Sequence, residues 1–306
     1  MLGESYNTVA NAAATYNYRD TLAASQKHNW RIDDIIGGEK QLDFSKPFMP
    51  EALARTGAIE GFTYEEKRVL NQIKGHAYLS IFGIVEEFIL PFILDHIRPS
   101  LDMDDYRVRA ILQFAGEEAK HIQLFKTFED EFSKGFPVKC PVIGPAAEIG
   151  AHVLSHSPLA VGLLILGIEW STQAHYLECI RDDAELDPLF KDLLKHHWME
   201  EAQHAKLDTL MVEALAEGMS EDEIAAAVDE YCELGGFFDG GTRQQAILDI
   251  DTFEIVTGRK LTETERAELT DAMHQANRWT YLGSGMTHPR FLETLGKLSP
   301  AQRARI

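Results

Sequence analysis

The chain has 306 residues, 45% of them apolar, which is enough to bury one large core or two modest ones without disulfide staples. Its 49 acidic residues face only 29 Lys and Arg, a formal net charge of −20 that excludes a nucleic-acid backbone or an anionic membrane surface as partner. Cys140, Cys179 and Cys232 are scattered and form no Cys-x-x-Cys pair, so they read as packing thiols in a reduced, cytoplasmic setting.

The first twenty residues carry neither a basic nor an apolar leader region, so no secretory signal is expected. Residues 1–62, with turn signals at "GGEK" and "SKPFMP", are expected to wrap a bundle and not to form a second core. Helix-period segments follow at about 63–96, 102–133, 158–182, 188–217, 220–234, 242–257 and 262–283. Capping boxes mark several helix starts: Thr63 with Glu66, Ser220 with Glu223, Thr262 with Glu265 and Ser299 with Gln302. Residues 134–157 gather three prolines and three glycines and read as a connection. The run "AYLSIFGIVEEFILPFIL" is broken by Glu86 and Glu87, and "SPLAVGLLILGIEW" is shorter than the ~20 residues of a bilayer span, so both read as buried helices. The expected fold class is all-α: one helical domain with a four-helix core over 63–217, a wrapping segment over 1–62 and C-terminal helices over 218–306.

On the first long helix Phe82, Val85, Ile89 and Phe92 form an apolar face bordered by Glu86, while Glu87 points almost oppositely. Either both are solvated, or Glu86 turns inward and needs a cation or a metal. The second helix carries Glu118 and His121 at i, i+3, where both can converge on one ion, and its Glu117 is expected to be solvated. On the third, Glu169 stands among apolar and small residues, with Gln173 and Tyr176 on its face, and needs a metal or a basic partner. The fourth carries "LLKHHWMEEAQHAKLD", in which His197, Glu201, His204 and Asp208 form one stripe and His196, Glu200 and Lys206 lie off it. Glu201-x-x-His204 repeats Glu118-x-x-His121. Ferritin-like di-iron and di-manganese bundles take one Glu from each of two helices and Glu-x-x-His from each of the other two. Glu86, Glu118, His121, Glu169, Glu201 and His204 occur in that chain order, and His197, one turn before Glu201, is a seventh candidate ligand.

With His197-x-x-x-Glu201-x-x-His204 following Glu86, Glu118-x-x-His121 and Glu169, the sequence resembles the p-aminobenzoate N-oxygenase family of non-haem di-iron arylamine oxygenases. That family adds a histidine four residues before the last ligand glutamate. The resemblance spans about residues 60–210, and the "THPRF" stretch also looks similar. It implies a ferritin-like bundle, two iron ions, O2 as co-substrate, and oxygen insertion into the nitrogen of a small aryl amine. The residues alone imply less: imidazole and carboxylate donors suit iron, or manganese, and no thiolate cluster supports an iron–sulfur or structural zinc site. An external electron donor is expected, because no dinucleotide-binding or ferredoxin-like motif occurs. A homodimer is compatible with the sequence. A ferritin-like ferroxidase would use similar ligands, but the ~90 residues after 217 suit a substrate enclosure better. A non-catalytic helical protein would leave the buried acids and imidazoles unpartnered. His76, His96, His152, His156 and His175 are expected at the surface or hydrogen-bonded in the core, Tyr176 in the core, and Arg278 and Arg290 in ion pairs.

Overall fold

The computed structural model of the protein describes residues 16–306, so residues 1–15, with most of the stretch read for a secretory signal, lie outside the described residues. All regular elements among the described residues are helical. In chain order they are α1 (Tyr18–Ser25), α2 (Ile32–Ile35), α3 (Glu51–Ala54), α4 (Tyr64–Ile97), α5 (Tyr106–Gly135), α6 (Ala146–Leu154) and α7 (Pro158–Ala174). They continue with α8 (Pro188–Leu215), α9 (Glu221–Thr257), α10 (Glu263–Arg278), α11 (Ser284–Met286), α12 (Pro289–Leu298) and α13 (Pro300–Arg303).

The starts follow the capping chemistry. Thr63 Oγ1 accepts from the Glu66 N–H at 3.2 Å while the Glu66 carboxylate accepts from the Thr63 N–H at 2.7 Å. Ser220 with Glu223 and Thr262 with Glu265 close the same reciprocal box. Ser299 caps only the Gln302 N–H, at the start of α13.

Helix α4 packs on α5, α5 on α8 and α8 on α7, while α9 lies across both α4 and α7. Because α5, α6 and α9 cover different sides of α4, that helix is apolar nearly all round. Its continuation to Ser100 is long and apolar enough to cross a membrane, but 67% of its most apolar window is buried inside the protein. Two apolar clusters fill the bundle, one around Phe88, Phe114, Leu163 and Val212, the other around Phe48, Phe128, Phe190 and Phe253. A polar layer separates them, at the level of Glu86, Glu118, Glu169 and Glu201.

Two expected boundaries are corrected. Segments 220–234 and 242–257 form one continuous helix, α9, despite Gly235, Gly236, Gly240 and Gly241. Each glycine costs a helix up to about 1 kcal/mol relative to alanine. The buried stripe of Leu234, Phe238, Thr242, Gln245 and Asp249 carries the helix through; it ends at Gly258, in the left-handed region at φ 69°. The connection 134–157 holds α6, which packs on α4. Helix α7 also gives way at His175 to a wider turn, in which the Arg181 N–H donates to Tyr176 O at 2.9 Å.

The segment before α4 is tied to the bundle by polar side chains. The Asn71 carbonyl accepts from the Phe48 and Met49 N–H groups at 2.8 and 3.0 Å, and its amide donates to Met49 O at 2.7 Å. Asp187, the N-cap of α8, accepts from the Phe190 N–H at 2.6 Å and from the Asp43 N–H at 2.9 Å. Helix α1 packs on α5 and α8, which brings Ser25 and Trp30 to the polar layer.

Candidate metal centre

The faces set by helical periodicity bring all seven candidate residues into the polar layer, each at most 2% exposed. Glu86 turns inward; Glu87 turns out and pairs with Lys126 at 2.7 Å. From α5 and α8, His121 Nδ1 lies 2.9 Å from Glu201 Oε1, and His204 Nδ1 lies 2.8 Å from Glu118 Oε1 and 3.3 Å from Glu201 Oε2. His197 Nε2 is 2.9 Å from Glu201 Oε1 and 3.2 Å from Glu86 Oε1. His196 turns away and its Nδ1 reaches Asp192 O at 2.8 Å.

Two compact donor groups result: Glu86, His121, His197 and Glu201, and Glu118, His121, Glu201 and His204, with donor atoms in each within 4.8 Å of one another. His121 and Glu201 belong to both. Glu169 falls in neither group but stands beside Glu201. Burial and the Glu201 charge push its carboxyl well above the ordinary range.

Both oxygens of Glu118, one oxygen each of Glu86, Glu169 and Glu201, and Nδ1 of His121 and His204 are buried without a hydrogen bond. Several of these atoms are close together yet misaligned for hydrogen bonding, so their lone pairs converge on shared space between the helices and not on one another. A divalent cation satisfies such a set, and mixed imidazole and carboxylate donors suit iron or manganese.

The outer nitrogens explain why the inner ones are free. His121 Nε2 meets Glu200 Oε2 at 2.8 Å, and His204 Nε2 meets Glu117 Oε2 at 2.9 Å. With the Nε2 proton donated outward, each Nδ1 faces inward and offers its lone pair once its own proton is displaced, the arrangement by which an outer carboxylate fixes a metal-ligating imidazole. Burial lowers the pKa of His121, but Glu200 and Glu201 outweigh it and hold it up at about 9. Binding a cation therefore displaces a proton from this ring. Burial is the main influence on His197 and lowers it, so the ring stays neutral and able to donate a lone pair.

Glu117, expected to be solvated, is instead 3% exposed. Burial would raise its carboxyl, yet His204 holds it down at about 2, with Gln113 donating to it at 2.9 Å and Ser25 at 2.5 Å. Glu200, off the ligand stripe, is fully buried and also pairs with Lys120, whose ammonium lies 3.8 Å over the Trp30 ring. The Trp30 ring in turn stacks on His121. The available signal was the doubled acid in Glu117-Glu118-x-x-His121 and Glu200-Glu201-x-x-His204; the pairs cross between α5 and α8, so no spacing within one helix discloses them.

Elsewhere, Arg278 pairs with Asp239 at 2.9 Å and Arg290 with Glu293 at 2.8 Å, and Tyr176 stacks on Trp198. Buried His175 meets Ser284 Oγ at 2.9 Å. Cys140 is buried and Cys179 half-buried; Cys232 is exposed on α9 and is not a packing thiol.

The family described as p-aminobenzoate N-oxygenase AurF matches residues 19–229, more than two thirds of the chain. The chain belongs to that family. The AurF-family match runs from α1 into α9 and takes in all seven candidate ligands together with Glu117 and Glu200. No curated protein matches the chain. Among solved structures it is similar to a point mutant of an R2-like ligand-binding oxidase with an aerobically reconstituted Fe/Fe cofactor, with 14% identity, a TM-score of 0.44 and coverage of 100% of this chain and 99% of that one. It is also similar to another point mutant of an R2-like ligand-binding oxidase, with an anaerobically reconstituted Mn/Fe cofactor, at 12% identity, a TM-score of 0.42 and the same coverage. AurF-family membership and the buried donor cluster together make the protein a di-metal oxidoreductase of the oxidase and oxygenase kind.

Proposed function

We propose that the protein is an O2-dependent di-iron N-oxygenase acting on a primary aryl amine, with Glu86, Glu118, His121, Glu169, His197, Glu201 and His204 as metal ligands. The observation that carries this reading is the convergence of buried, unbonded carboxylate and Nδ1 lone pairs from α4, α5, α7 and α8. The balanced step is aryl amine plus O2, two electrons and two protons, giving the aryl hydroxylamine and water. A separate reduced electron-transfer partner supplies the electrons.

Iron held by these carboxylates and imidazoles would supply the redox capacity and Lewis acidity for this step. The chain's own residues order and protect the site. Glu200 and Glu117 lock the rings of His121 and His204. Phe114 packs 4.1 Å from the His204 ring and Phe125 5.0 Å from the His197 ring, which keeps bulk water from the imidazoles. Burial raises the carboxyl of Asp208, one turn past His204, well above the carboxylate range, as it does that of Glu169 in the absence of a cation.

Fe(II)-loaded protein given a reductant, O2 and an aniline is expected to form the hydroxylamine or a more oxidised nitrogen product, measured by mass spectrometry. O2 consumption with growth of an iron mineral and no organic product would make the protein a ferroxidase.

His197 separates this site from a six-ligand bundle. His197→Ala is expected to keep the fold and most of the metal, since six donors remain, but to change the visible spectrum of the Co(II)-substituted protein. His196→Ala, with its ring tied to Asp192, is expected to leave that spectrum unchanged. Equal spectra from both variants and the parent protein would remove His197 from the ligand set.

A further inference from the structure

We propose that Lys120 reserves the oxidising power of the centre for its substrate, because the ammonium it holds against Trp30 keeps that indole from giving an electron to the metals. This rests on the O2-dependent reading of the site and adds to it a positioning residue, one that acts through Trp30.

A centre that works with O2 can also draw electrons from its own protein, and among side chains the indole and phenol rings give them up most readily. Apart from the other ligand rings, the rings packed on the His197 and His204 imidazoles are those of Phe82, Phe114 and Phe125, and phenyl rings resist oxidation. His121 is the exception. Trp30, 6% exposed, stacks on it with ring centroids 5.9 Å apart and an angle of 13° between the planes. Among the described tryptophans it alone has its ring against a candidate ligand, which gives an electron a short path out of the indole.

The Lys120 ammonium, 3.8 Å over the Trp30 ring, is fixed there by two acceptors, Trp30 O at 3.3 Å and the Glu200 carboxylate. A cation is attracted to the intact π face but repels the positive ring that loss of an electron would leave, so it makes Trp30 harder to oxidise. Glu200 offsets that charge only in part, because the ammonium touches the ring face whereas the carboxylate meets Lys120 and His121. Trp30 Nε1 is buried without an acceptor, so an oxidised indole also has nowhere nearby to release its proton. Trp198 supplies the comparison within the same molecule. It follows His197 in the chain, its Nε1 is likewise unpartnered, and it stacks on Tyr176 at 4.4 Å. Among the described residues no cation covers its face.

The reaction that Lys120 opposes is Trp30 plus water going to hydroxytryptophan: two electrons pass to the O2-oxidised metals, two protons pass to solvent, and the inserted oxygen comes from water. The test takes iron-loaded protein through cycles of reductant and O2 with no amine present, and counts oxygen insertion at Trp30 and Trp198 by peptide mass spectrometry, per bound iron. In the parent protein Trp30 is expected to stay intact. Lys120→Met is expected to raise oxidation of Trp30 at least about tenfold and to leave Trp198 unchanged. Lys120→Arg restores a cation and is expected to protect Trp30 as the parent does. Lys120→Gln can still donate to Glu200 but carries no charge; it is expected to match Lys120→Met, and it stands in if that variant does not fold. Trp30 oxidised in the parent as heavily as in the neutral variants would overturn the proposal. So would an equal rise at Trp198, which marks a general disturbance of the centre, or an intact Trp30 in both neutral variants. Selective oxidation of Trp30 in those variants, with no nitrogen product from any aniline in the parent, would uphold the role of Lys120 and sink the N-oxygenase reading.

Discussion

Glu201→Ala is expected to lower the iron bound at saturation from about two ions per chain to fewer than one, the larger of the losses foreseen at this site. Glu201 belongs to both donor groups, and its oxygens are the near neighbours of His121 and His197 at 2.9 Å and of His204 at 3.3 Å. Without it each group keeps its other donors but loses the anion between them. The helices are expected to persist, because the apolar clusters on either side of the polar layer are untouched. Metal analysis after equilibrium dialysis, with circular dichroism as the check on folding, measures both outcomes. Glu87→Ala, which removes only the exposed partner of Lys126, is the control and should bind iron as the parent protein does. Full iron content in Glu201→Ala would mean that the convergent donors are not the metal site.

Gly285→Ala is expected to destabilise the protein by about 3 kcal/mol or more. A Cβ at residue 285 would lie 2.1 Å from Gly167 O and 2.7 Å from Gly167 C. These are backbone atoms, so no rotamer change relieves the clash and α11 must move away from α7. Gly167 precedes Glu169 by two residues, and the same displacement is expected to weaken iron binding. Thermal unfolding of the metal-free protein and iron titration of the folded variant separate the two effects. Gly235→Ala, inside α9 with open space around its Cβ position, should instead be neutral or stabilise by up to about 1 kcal/mol. A melting temperature for Gly285→Ala equal to that of the parent protein would show that the α7–α11 contact tolerates a side chain.

The candidate donor residues were readable without a structure because their shared faces depend on short-range order. Helical geometry makes Glu118 and His121, or His197, Glu201 and His204, share a face whatever surrounds them. Capping is equally local, which is why Thr63, Ser220 and Thr262 mark true helix starts. Periodicity set Glu86 at the border of the apolar face of Phe82 and Val85, but the choice between Glu86 and Glu87 stayed open until packing turned Glu86 inward and Glu87 out to Lys126.

What the tertiary structure alone decided concerns partners distant in sequence. Periodicity left Glu117 and Glu200 off the ligand stripes, and only the way α5 and α8 pack places each against the imidazole of the other helix. Ser25 reaches Glu117, and Trp30 reaches Lys120 and His121, from a segment whose own sequence reads as turns. Local propensity broke α9 at its glycines, but burial of one long stripe against α4 and α7 outweighed that penalty. The sequence by itself determined which side chains are offered to the bundle interior, because backbone geometry is local. Their partners, and the space left between them, follow from contacts between residues far apart in the chain, which no local pattern encodes.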